Sequence, residues 1–153
     1  MIVKPQELVY PWQSKNIKLP KNFIISDSSY HLPTSSVIRG EIFPNFWRWL
    51  ITLKLTRWHT KWDCDNFADA FKVFSAGYFR NTIESEADSL AIGTIYYIAN
   101  SRAESGMKGA HAINIVYYSD DDKTLRYMFI EPQMGNTLDL SEEEFNSIYV
   151  VYL

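Results

Sequence analysis

The segment KWDCDNFADAF, residues 61–71, holds Cys64, the only cysteine in 153 residues, between Asp63 and Asp65. A lone thiol is either a small apolar core residue or a nucleophile. A nucleophile needs a base to form its thiolate, and the base needs an acid to orient it. Two later segments supply those types: His111 in GAHAINIVY and Glu131 in FIEPQMG. The flanking carboxylates oppose a thiolate. A charge at ~6 Å with an effective dielectric of ~20 is worth about 3 kcal/mol, whereas an exposed helix N-terminus returns only about 0.3–1 kcal/mol. One aspartate is therefore expected to cap the helix or to be neutralised by a cation. Asp63 is the candidate N-cap. The amides at the helix start, Cys64 N–H among them, are candidate donors to a developing oxyanion. His59 is a candidate accessory residue and a substitute base.

These residues need elements to bring them together. From Asp63 to Ala76, Cys64, Phe67, Ala68, Phe71 and Phe74 or Ser75 recur on one helical stripe, with Gly77 as the expected stop. Leu90–Ala99, His111–Tyr118 and Leu125–Glu131 are rich in β-branched and aromatic residues and read as strands. If SDDDK is the hairpin loop, Tyr118 faces Thr124 and, counting back, His111 faces Glu131. Directly opposed side chains share a face, so imidazole and carboxylate become neighbours. That face also carries Ile113, Ile115, Tyr117, Tyr127 and Phe129. It is expected to pack on the stripe that holds Cys64. A register slip of one residue would separate the pair.

FPNFWRWLITLKLTRW, residues 43–58, reads as a helix buried on more than one side, with Arg48, Lys54, Arg57 and Lys61 at its edge; the alternative is a membrane-surface helix. A short helix is expected after Pro33, capped by Thr34 or Ser35. A second one is expected at Ser141, where Glu144 completes a capping box, and a last strand at Ile148–Leu153. Residues 1–45 read as an extended, loop-rich N-terminal arm and 58–135 as a catalytic-like core within one domain, 1–153. Helices before an antiparallel sheet predict an α+β architecture. The net charge of −3 does not point to nucleic acid, and one cysteine excludes an internal disulfide and a Cys-based zinc cluster. The N-terminus lacks the apolar core of a signal peptide, and no apolar run is long enough to span a membrane. The default expectation is a soluble, cytoplasmic protein.

With WDCDNFADAF, GAHAINIVY and FIEPQMG in that order, the sequence resembles the papain-like and transglutaminase-like cysteine hydrolases, and within them the C-terminal cysteine protease domain of a mushroom agglutinin. The resemblance implies a papain-like cysteine protease fold in which the nucleophile helix packs on an antiparallel sheet. It implies Cys64 as nucleophile, His111 as general base, Glu131 as orienting acid and Gln133 as an accessory site residue. It also implies a calcium dependence that suits the crowded carboxylates, with Asp63, Asp65 and Asp69 as the candidate metal ligands, although no cofactor is needed for the chemistry. The expected activity is a thiol protease, hydrolase or acyl transferase acting on an amide bond of a peptide or protein substrate. The alternatives are a catalytically inactive papain-like-fold binding or structural module, as in a phage or effector protein, and a peptidoglycan amide hydrolase.

Overall fold

The structure, a computed structural model, describes residues 1–100 and 108–153. Its two longest strands, β5 (Ile92–Ala99) and β6 (Gly109–Tyr118), pair antiparallel along their length, from Ile92–Val116 to Ala99–Gly109. They lie at the centre of a six-stranded sheet. On one side β5 pairs with β9 (Val150–Tyr152), and β9 with β2 (Asn22–Ile24). On the other side β6 pairs with β7 (Arg126–Glu131), and β7 with β8 (Asn136–Leu138). Strands β1 (Ile2–Val3), β3 (Tyr30–His31) and β4 (Ser89–Leu90) form a second, three-stranded sheet. The expected purely antiparallel sheet is corrected by this topology. β2 runs parallel to β9, and β3 parallel to β4. The cause is the N-terminal segment, which does more than lie over a finished domain. Its Phe23 and Ile25 pack on the core, and Leu153 N–H donates to the Ile24 carbonyl at 3.0 Å.

Both faces of the central strands are buried, so their apolar residues run nearly without interruption. One face carries Ile95, Tyr97, Ile113, Ile115, Tyr117 and Phe129. It packs on Leu8 of the N-terminal segment, on Trp12 of α1 (Tyr10–Ser14) and on Phe145 of α5 (Glu142–Asn146). The opposite face carries Ile92, Val116, Met128 and Ile130. It packs on Phe46 and Leu50 of α3 (Phe43–Leu53) and on Phe67, Phe71 and Phe79 of α4 (Cys64–Thr82). This corrects the expected docking. The helix stripe meets the even-numbered face of β6, and the Ile113–Tyr117 face belongs to the N-terminal segment and α5. Two polar contacts seat the helix. Asn114 Nδ2 donates to the Ala68 carbonyl at 2.9 Å, and the Thr94 hydroxyl donates to Asp69 Oδ1 at 3.1 Å.

Helix α4 starts where expected, with Asp63 extended (φ −115°, ψ −162°) and its N–H donating to Asn66 Oδ1 at 3.2 Å. It does not stop at Gly77 but runs to Thr82. A mid-helix glycine costs about 1 kcal/mol, whereas burying the Phe79 side chain, 8% exposed, stabilises by roughly 1.5–3 kcal/mol, so burial wins. The preceding helical run is continuous from α2 (Ser35–Val37) through a π-helical turn at Ile38–Ile42 into α3, and ends at Lys54 in the left-handed region (φ 58°), short of Trp58.

Gly93 is a point of close approach between β5 and β9. A Cβ there would lie 2.8 Å from the Tyr152 carbonyl oxygen and 2.7 Å from Leu153 Cδ2. Because a backbone atom cannot swing away, Gly93→Ala is expected to destabilise the fold by about 1–3 kcal/mol in chemical denaturation. An unchanged midpoint would show that β9 can shift without cost.

Candidate active site

The β6–β7 hairpin carries the site, in a register that differs from the expected one. Tyr118 pairs with Arg126 and Asn114 with Ile130, so the connection is longer than SDDDK and every rung is displaced by two residues. A shift of two preserves side-chain facing, whereas a shift of one would have reversed it. His111 and Glu131 therefore remain on one face as diagonal rather than direct neighbours, a separation that long side chains span. Glu131 lies just past the last paired rung, where the chain turns. Met134 and Gly135 N–H groups donate to the Glu131 carbonyl at 3.2 and 3.0 Å, and Gly135 takes φ +78°, which suits glycine.

His111 Nε2 and Glu131 Oε2 are 2.5 Å apart, and the two residues are 7% and 2% exposed. The other carboxylate oxygen accepts the Gln133 backbone N–H at 3.1 Å, which fixes the carboxylate plane. Tyr97, directly opposite His111 across β5 and β6, packs edge-on to the imidazole with ring centroids 5.8 Å apart. Burial by itself would lower the His111 pKa. The hydrogen bonds to Cys64 and then to Glu131, with the charges of both, outweigh that effect and push it up to about 9. The imidazole thus joins Cys64 to Glu131. Nε2 is committed to the carboxylate. Cys64 is half-buried and is the first residue of α4, where backbone N–H groups have no intrahelical acceptor. The arrangement can hold a proton on the imidazole beside the half-buried Cys64.

Asp63 takes the expected N-cap position, and the flanking aspartates also contact each other, which the Coulomb argument did not anticipate. Asp63 is hydrogen-bonded to Asp65, and this contact, then burial, then the Asp65 charge, raises the Asp63 pKa. Asp65 Oδ1 also accepts the Asn66 N–H at 3.0 Å. Among the described residues no three His, Cys, Asp or Glu side chains converge as a metal site, and Asp69 is engaged by Thr94. Gln133 reaches the site through its backbone N–H. His59 lies in an exposed turn, bridged backbone to backbone with Trp62, and its Nδ1 accepts the Lys61 N–H at 3.2 Å.

Two site residues were missed in the sequence, Tyr97 and Tyr96. Burial, followed by Asp69, Asp65, Cys64 and Tyr149, pushes the Tyr96 phenol up to about 12, which places it beside the start of α4. The signal that could have found both is the β5–β6 register, in which Tyr96 faces Ala112 and Tyr97 faces His111.

No family model matches the sequence, and no curated protein matches it. The fold does match solved structures. One, described as the PSL1a–E64 complex, aligns with a TM-score of 0.68 at 21% identity over 99% of this chain and 50% of that one. A second, the Polyporus squamosus lectin bound to the human-type influenza-binding epitope Neu5Aca2-6Galb1-4GlcNAc, aligns with a TM-score of 0.68 at 20% identity over 99% of this chain and 49% of that one. This chain spans about half the length of the structures it matches. They correct the family reading, because one of the structures that share this fold is described as a lectin and neither as a papain-like or transglutaminase-like cysteine hydrolase. The papain-like fold class falls with it. So do the thiol protease, hydrolase and acyl-transferase assignment on a peptide amide, the inactive papain-like module and the peptidoglycan hydrolase. Three short motifs in a given order recur on unrelated folds, whereas the fold match extends over nearly the whole chain. Among the described residues no helix is long and apolar enough to cross a membrane.

Proposed function

We propose that this chain presents a nucleophilic thiolate site, in which Cys64 bonds covalently to a carbon electrophile. His111 is the base that takes the thiol proton, and Glu131 orients the imidazole and stabilises its charge. The observation that carries this reading is the buried Glu131–His111 contact at 2.5 Å on an imidazole that lies next to Cys64. The step balances simply: the S–H proton passes to His111, the sulfur electron pair forms the S–C bond, and the electrophile releases its leaving group or opens its ring. The positive end of α4 lies at the sulfur and favours the anion. Iodoacetamide followed by intact-mass measurement tests the site, with one adduct expected on Cys64 within minutes at about pH 6, where an isolated thiol with a pKa near 8.5 is almost wholly protonated. A complex with E64 is described for PSL1a, so a mass shift on incubation with E64 is the second readout. Labelling only after denaturation would overturn the reading.

A glycan partner is the second reading. It is favoured by the description of one structural neighbour as a lectin bound to Neu5Aca2-6Galb1-4GlcNAc. Titration of this chain with that glycan, followed by calorimetry, decides it; absence of heat and of any stabilisation removes it.

A further inference from the structure

Between Glu41 and Asp63 the chain has no Asp or Glu, yet it carries Arg48, Lys54, Arg57 and Lys61. All four are exposed, and none is paired with a carboxylate among the described residues. The Arg48 guanidinium donates to Asn45 Oδ1 at 2.8 Å. Interleaved with them are Ile51 at 62% exposure, Leu53 at 47% and Trp58 at 56%. Local geometry puts them there. α3 spends Phe46 and Leu50 on the core, which leaves Arg48, Ile51 and Thr52 on its outer face. At Lys54 the chain reverses in the left-handed region, with Lys54 and Leu55 N–H groups bonding back to Ile51 and Leu50 carbonyls at 3.0 and 2.9 Å. The next turn is closed by the His59–Trp62 bridge and keeps Trp58 outside.

We propose that this surface, the C-terminal half of α3 and the loop to residue 61, docks on an anionic lipid bilayer. Charge complementarity selects the occupant. A protein of net charge −3 that concentrates unpaired cations on one acid-free segment directs that segment at an anionic surface. The apolar side chains select lipid over nucleic acid. Trp58, Ile51 and Leu53 gain by entering the headgroup–acyl boundary, where the basic stems extend back to the phosphates, and a nucleic acid offers them no such phase. The inference does not depend on the thiol reading.

Flotation of the full chain with phosphatidylcholine vesicles, with and without about 30% phosphatidylserine, tests it. Binding is expected to the anionic vesicles only and is expected to weaken with added salt. Each basic residue near the surface contributes about fivefold in affinity, so Lys54→Glu with Arg57→Glu is expected to lose more than tenfold. Brominated acyl chains are expected to quench Trp fluorescence, and Trp58→Phe is expected to remove that quenching. All these positions are exposed, and an unchanged melting temperature confirms folding. Absence from anionic vesicles, equal binding to neutral ones, or quenching unaffected by Trp58→Phe would each overturn the proposal. So would charge-dependent retention on duplex DNA without lipid binding.

Discussion

His111→Ala is expected to slow the alkylation of Cys64 by iodoacetamide near pH 6 by about a hundredfold, the lower end of what a positioned base contributes. The physical reason is the imidazole itself, which is hydrogen-bonded to the carboxylate, lies next to Cys64 and is held protonated up to about pH 9. Without it, Cys64 faces the Asp63–Asp65 pair with no compensating cation. The loss should shrink as pH rises, because above the ordinary thiol pKa of ~8.5 the thiolate forms unaided. A measured rate against pH separates this from a packing effect: a structural role for His111 would change the rate equally at all pH values. His59→Ala is the companion variant. His59 is exposed and bonded within its own turn, so its removal should leave the rate unchanged.

Glu131→Ala is expected to destabilise the fold by about 3 kcal/mol near pH 6, because it leaves a buried imidazolium without its carboxylate. The sign with pH follows from linkage. The folded-state His111 pKa is raised from 6.5 to about 9, so this ion pair contributes its full stability below pH 6.5 and loses it as pH rises through about 9. The difference in stability between wild type and Glu131→Ala should therefore be largest below pH 6.5 and fall away above about pH 9. Chemical denaturation at a series of pH values measures it. Glu131→Gln keeps the acceptor for the Gln133 N–H without the charge, and should lie between the two. A pH-independent difference would show that Glu131 acts by filling space.

The β6–β7 hairpin shows how much of the site was legible beforehand. The residue types, their order and their common face could be read from strand alternation. The rung pairing could not, because the length of an acidic, polar connection does not reveal how many of its residues join the ladder. The error was two residues, and the period of the strand made it harmless to facing. The docking of α4 was a different kind of error. Its stripe was correctly composed of Phe67, Ala68 and Phe71, but β6 is apolar on both faces, so periodicity offered no preference between them. The extent of α4 past Gly77 was hidden for a related reason, since only the packed fold shows that Phe79 has a place in the core.

The sequence by itself determined local properties: a capped helix that begins at the only thiol, strands with alternating faces, and an acid-free basic segment before that helix. These depend on side-chain type and short spacing, which the chain states directly. The tertiary structure alone decided that β2 joins β9 in parallel, that α4 lies on the Asn114 face, and that Glu131, His111 and Cys64 converge. Contacts between residues dozens of positions apart are chosen by the packing of the whole core, where many pairings have similar local merit and only their joint fit distinguishes them.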